Sequence, residues 1–179
     1  MAILKVCRLG HPVLRKTARP VPPETIPHPE FQRLIDDMIE TMHEYTGVGL
    51  AAPQVHVSQQ LAVLQVDKHP RYPDVPPVPL TVLINPRLRV TSERRAELWE
   101  GCLSIPDLRG MVPRYAELRV QALDRHGQRL DFVATDFHAR VIQHEYDHLQ
   151  GKVYVDRMDS LHTLCHLDEW QRYWLPAPT

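Results

Sequence analysis

Two histidines four residues apart are the first residues whose spacing suits chemistry. They stand in HEYDH at 144–148. On an α-helix, positions i and i+4 share a face, so His144 and His148 can hold one metal ion with Glu145 beside it as a base. The flanking sequence supports a helix: Val141, Ile142, Tyr146 and Leu149 supply an apolar face, and Gly151 a stop. A catalytic tetrahedral metal has three protein ligands and a water. The known extension of the motif that adds a third histidine fails, because Tyr154 occupies that position. Two candidates stay open. One is a downstream carboxylate such as Glu169, and the other is Cys102 in WEGCLSIP, although a lone thiol is more often a small buried apolar group than a ligand.

A third segment, GVGLAAPQ at 47–54, combines small residues with a terminal amide. Gly47 and Gly49 allow a close backbone approach, and Gln54 can line a narrow polar pocket. Taken alone it is a turn between helix and strand, and it lacks the form of a phosphate loop. His11, His28, His43, His56, His69 and His126 have no ligand-like context and are expected at the surface. His162 and His166 repeat the i, i+4 spacing, but without an adjacent glutamate or a third ligand.

These residues must be positioned by a chain of 179 residues and 20.7 kDa, a length that fits a single domain over 1–179. Its 21 Lys+Arg against 22 Asp+Glu give a net charge of -1, which argues against a dedicated nucleic-acid binder. No apolar run approaches the ~20 residues of a membrane span, and the N-terminus lacks the form of a signal peptide. Cys7, Cys102 and Cys165 are too few and too scattered for a disulfide framework, so a reducing compartment is expected. Prolines crowd 11–29, which must be extended or turning. Phe31, Leu34, Ile35, Met38, Ile39 and Met42 then form one helical stripe. Strands are expected at 61–66 and 80–84, separated by an exposed proline-rich loop at 67–79. Alternation at 118–122 and 130–134 around a turn at 124–128 reads as a hairpin. A second helix is expected at 137–150 and a third at 161–174. Strands grouped before a late helix indicate an α+β fold.

G-x-G-L-A-A-P-Q at 47–54, E-G-C-L-S at 100–104 and Q-H-E-x-D-H-L-x-G at 143–151, in this order, resemble the three signature motifs of the peptide deformylases. GHPVLRKTARPV at 10–21 resembles the family's opening segment. The resemblance implies antiparallel β-sheets packed around a C-terminal metal-binding helix, with an additional N-terminal helix. It implies one divalent metal, natively Fe(II), with Zn, Ni or Co as possible occupants, on Cys102, His144 and His148. Glu145 would take a proton from the attacking water and return it to the departing amine. The Gln54 side-chain amide and the Leu103 backbone N–H would stabilise the developing oxyanion, each such donor typically being worth ~3 kcal/mol. The reaction implied is hydrolysis of the N-terminal formyl group of N-formylmethionyl nascent peptides, releasing formate.

A tight site closed by Val48, Gly49 and Leu50 would exclude acyl groups larger than formyl. Phe137, His138 and Val141 are candidates for an apolar methionine pocket, with helix-to-sheet packing as the competing account. Glu100 is expected to support the metal ligands by pairing with Arg109 or Arg114. The resemblance further implies a monomer in a bacterial cytoplasm or an organelle matrix, with no specific nucleic-acid or membrane partner. Contact of the 67–79 loop or the C-terminal tail with the ribosome stays open.

Overall fold

The apolar stripe at 31–42 forms helix α1, Pro29–Glu44, in the computed structural model, which describes residues 2–67 and 75–175. Pro29 opens the helix, where its missing N–H costs nothing, and Phe31, Ile35, Met38 and Met42 are buried along one face. Strand β1 (Gly49–Ala51) and a 3-10 turn, Ala52–Val55, follow. Strand β2 (Leu61–Val66) has the expected limits. Its apolar run, interrupted by Gln65 alone, reflects burial on both faces: Leu61 and Val63 join the core under α1, whereas Leu64 and Val66 join a second core on the opposite side. Each fully buried leucine or valine contributes ~1.5–3 kcal/mol.

Strand β3 runs Val78–Val90, well beyond the expected 80–84. The sequence signal stops at Asn85-Pro86 because proline is rare inside a sheet. The strand continues through an irregularity there: Asn85 adopts φ 52, and the pairing register shifts between Ile84 and Arg87. The Asn85 side chain holds the bend by bonding both backbone groups of Val21, each at 2.8 Å. The expected loop at 67–79 lies largely outside the described residues, and Val78 and Pro79 already belong to β3.

Strands β4 (Arg95–Cys102) and β5 (Ile105–Tyr115) form a long hairpin that the sequence reading did not anticipate. The buried positions of β5 include Gly110, Val112 and Arg114, so a glycine and an arginine interrupt the apolar alternation that marks a strand. Strands β6 (Glu117–Leu123) and β7 (Arg129–Thr135) form the expected hairpin. The Asp124 carboxylate accepts the N–H groups of His126 and Gln128, both at 2.8 Å, to close its turn.

Helix α2 (Asp136–Leu149) follows directly. It ends before Gly151, whose φ is 70° and whose added Cβ would lie 2.8 Å from the Arg15 backbone. The third expected helix is broken into a turn at Leu161–Thr163, strand β8 (Cys165–His166) and the short helix α3 (Leu167–Tyr173). The edge of β5 takes β8 as a partner and so interrupts the helix.

The fold is α+β. One antiparallel sheet has the order β1-β2-β3-β6-β7 and the other β4-β5-β8. Helix α2 packs against members of both, touching β1, β2, β5, β6 and β7. The proline-rich arm makes two 3-10 turns, Pro12–Arg15 and Pro23–Thr25. It is tied across the motifs by Cys7 N–H to Gln54 O (2.8 Å), Leu9 N–H to Ser104 O (2.8 Å) and Ala18 N–H to Leu149 O (2.9 Å).

Candidate active site

Helix α2 presents His144 and His148 one turn apart, with ring centroids 5.1 Å apart edge to face. Cys102 closes β4 just after a register shift that follows Glu100, which turns the thiol inward. Its Sγ lies 3.3 Å from His148 Nε2, and the ligand atoms of Cys102, His144 and His148 all lie within 4.8 Å of one another. Glu169, the alternative third ligand, is on α3, half-buried and paired with Arg172 at 3.5 Å. Of the two candidates, it is the thiol that lies beside both imidazoles.

The donor set fits a divalent metal. The Glu100 carboxylate meets Nδ1 of His144 at 2.9 Å, which leaves the other ring nitrogen of His144 for a metal. Burial opposes protonation of His144, but its bonds to Cys102 and Glu100 outweigh this and raise it well above the ordinary imidazole value. Burial and the charge of His144 drive His148 well below that value. His148 Nδ1 and Glu145 Oε2 are buried with no hydrogen-bond partner among the described residues, a condition that costs ~1–3 kcal/mol per group.

Gln54 is buried at the end of β1's turn. Its Oε1 accepts the Ala51 N–H at 2.8 Å, so its Nε2 points inward, 3.5 Å from Cys102 Sγ and 3.3 Å from Ser104 Oγ. Glu145 is 4% exposed, and burial pushes its carboxyl up to about 7. Its carboxylate rests against Gly49: a Cβ there would lie 2.3 Å from Oε1. Only glycine leaves room for the carboxylate at this place.

Glu100 anchors the surroundings. It accepts two bonds from Arg114, each at 3.0 Å, and one from Arg140 at 2.7 Å, besides its contact with His144. Burial works against its ionisation, but Arg114 and His144 override that and hold the carboxyl well below its usual range. Of the two arginines named from sequence, Arg114 makes the pair. It also bridges to Asp147, which Arg157 holds at 2.6 Å. Arg140 and Asp147 escaped the sequence reading. Their signal was spacing: Arg140, His144 and Asp147 fall at i, i+4 and i+7 and share a face of α2.

A cavity of about 320 Å³ opens onto Cys102, His144 and Glu145. Val48, Gly49, Leu103, Phe137 and Val141 line it. Leu50 and His138 do not. Leu50 is fully buried beneath α1, because alternation along β1 turns it away from Gly49. His138 stacks on Phe132 with centroids 5.6 Å apart, since one residue along a helix is a rotation of about 100° from Phe137. Tyr45, Trp99, Arg109 and Leu167 also line the cavity, and no motif marked them.

The polypeptide deformylase family model matches residues 3–163. The chain belongs to the polypeptide deformylase family. Peptide deformylase 1 of Nitrosomonas europaea is 48% identical over 93% of this chain and 93% of its own length. Peptide deformylase 1 of Bordetella pertussis is 48% identical over 87% of this chain and 88% of its own. The Met-Ala-Ser-bound class I type b peptide deformylase of Acinetobacter baumannii superposes with a TM-score of 0.85 at 38% identity, covering 88% of this chain and 99% of that one. As a deformylase, this chain is a metal-dependent hydrolase that removes the N-terminal formyl group from nascent peptides. Helix α3 lies beyond the stretch matched by the family model.

Proposed function

We propose that Cys102, His144 and His148 hold the catalytic metal of this deformylase, with Glu145 as base and Gln54 and Leu103 as oxyanion donors. The observation that carries this reading is one cluster in which a thiol and two imidazoles meet beside a buried carboxylate oxygen, Glu145 Oε2, with no partner among the described residues, and an inward amide. A divalent ion held by these three residues would lower the pKa of a water toward neutrality and polarise the formyl carbonyl. Fe(II) is the proposed native ion.

The protein's own groups do the rest. Glu145 Oε2, having no partner, takes the proton of the attacking water and delivers it to the departing amine nitrogen. A carboxyl held near 7 by burial can both accept and release that proton at neutral pH. The Gln54 amide is fixed by the Ala51 N–H before substrate arrives, so its donor needs no reorganisation. Val48 and Gly49 form the wall that limits the acyl group, and Phe137 and Val141 form an apolar wall for the methionine side chain. The chain acts as a single domain and a monomer on N-formylmethionyl peptides in the bacterial cytoplasm. Among the described residues no helix is long and apolar enough to cross a membrane.

The test is formate release from a formyl-methionyl peptide by anaerobically Fe(II)-loaded protein, with Cys102→Ala alongside. Release by the parent and loss of the metal in Cys102→Ala are expected. A Cys102→Ala protein that keeps its metal and its activity rules out the thiol ligand.

A further inference from the structure

Among the described residues, two groups of three side chains bring a thiol and two imidazoles close enough to share one ion. One is the cluster at Cys102. The other is Cys7, His11 and His56, whose ligand atoms also lie within 4.8 Å of one another. We infer that Cys7, His11 and His56 form a second divalent-metal site, of a donor set suited to Zn(II), on the outer side of the turn that carries Gln54.

The three residues come from separate segments that the fold brings together. Cys7 lies in the N-terminal arm, 3% exposed, and its thiol makes only a weak contact with Pro53 O at 3.4 Å. His11 caps the Pro12–Arg15 turn, and His56 ends the Ala52–Val55 turn. Both imidazoles are exposed and meet edge to face over the thiol, with centroids 4.7 Å apart. Zinc–sulfur and zinc–nitrogen bonds of about 2.3 and 2.0 Å set one sulfur and two nitrogens of a tetrahedral site roughly 3.3–3.5 Å apart. Closing the group onto one ion therefore takes side-chain shifts of about 1 Å, within reach of two exposed rings. The Val13 N–H now reaches His11 Nδ1 at 3.2 Å, a long bond that turning the exposed ring trades for coordination. The fourth position falls to water.

A second observation points the same way. His56 sits at φ 67, a left-handed conformation that suits glycine and costs other residues roughly 1–2 kcal/mol. Strain of this kind persists where the side chain has a use. An ion at this site pins the arm to the turn bearing Gln54, already joined by the Cys7 N–H to Gln54 O bond of 2.8 Å.

The test counts metal. Full-length protein is stripped, equilibrated with Zn(II), freed of unbound ion and measured for zinc per chain by mass spectrometry. Co(II) loading reports thiolate coordination by its near-ultraviolet charge-transfer band. The parent should bind two equivalents. His56→Gly, which also relieves the backbone, and His11→Asn should bind one, as should Cys7→Ser. Cys102→Ala should lose the catalytic equivalent and keep the other, so failure at either site is told apart. A parent that takes up a single equivalent, or a His56→Gly protein that keeps two, overturns the second site. Should Cys7→Ser fail to fold, the two histidine variants decide the matter.

Discussion

Glu145 and Gly49 act as a pair: the carboxylate occupies the volume where any other residue at position 49 would place its Cβ. Gly49→Ala should therefore leave a folded, metal-loaded protein whose kcat falls at least about 10-fold, because the base is displaced and not removed. Unchanged kcat would show that the carboxylate has another place to go. Glu145→Gln keeps the volume and the hydrogen-bonding shape but cannot take a proton. It should bind metal at parental stoichiometry and lose about 10²–10⁴-fold in kcat, as loss of a general base does. Gln54→Ala removes a donor already oriented by Ala51. A loss of ~3 kcal/mol in transition-state stabilisation is expected, read as a fall in kcat with little change in KM.

At the scale of elements, α2 supplies two imidazoles, the proposed base Glu145 and Asp147, while the β4–β5 hairpin supplies Cys102, Glu100 and Arg114. The Glu100–Arg114–Asp147 chain fastens hairpin to helix through side chains that are only 3–5% exposed. Arg114→Ala would leave two carboxylates buried without their main partner. It should destabilise the fold by about 3–5 kcal/mol, measured by urea unfolding. The same network predicts a pH dependence. Glu100 has a folded value below its unfolded one, so the native state binds fewer protons than the unfolded state. Its stabilisation is complete above the unfolded carboxylate range of about 4.3 and is lost as pH falls toward the folded value. Urea stability of the parent should fall more steeply below about pH 4 than that of Glu100→Gln. Parallel slopes would sink this assignment.

Across the whole molecule, the sheets and α2 converge on the proposed metal cluster, so an ion bound there is expected to stabilise the entire fold. At free metal about 1,000 times Kd, the gain is ~4 kcal/mol, and chelation should lower the thermal midpoint accordingly. The sequence alone determined the chemistry: HEYDH requires only helical periodicity to place two imidazoles together, and the ordered motifs carry the family. It also determined α1, β2 and the β6–β7 hairpin, where side-chain periodicity reports local structure directly. Tertiary structure decided what periodicity cannot express. The choice of Cys102 over Glu169 depends on which distant segment reaches α2. The β4–β5 hairpin was hidden because Gly110 and Arg114 occupy buried positions that are apolar in an ordinary strand. The inward arginine is stable only because Glu100 and Asp147 meet it in space. Likewise, Leu50 and His138 were separated from Gly49 and Phe137 by the direction each backbone gives its side chains. Local pattern fixes identity and period, whereas partners far apart along the chain are chosen only by packing.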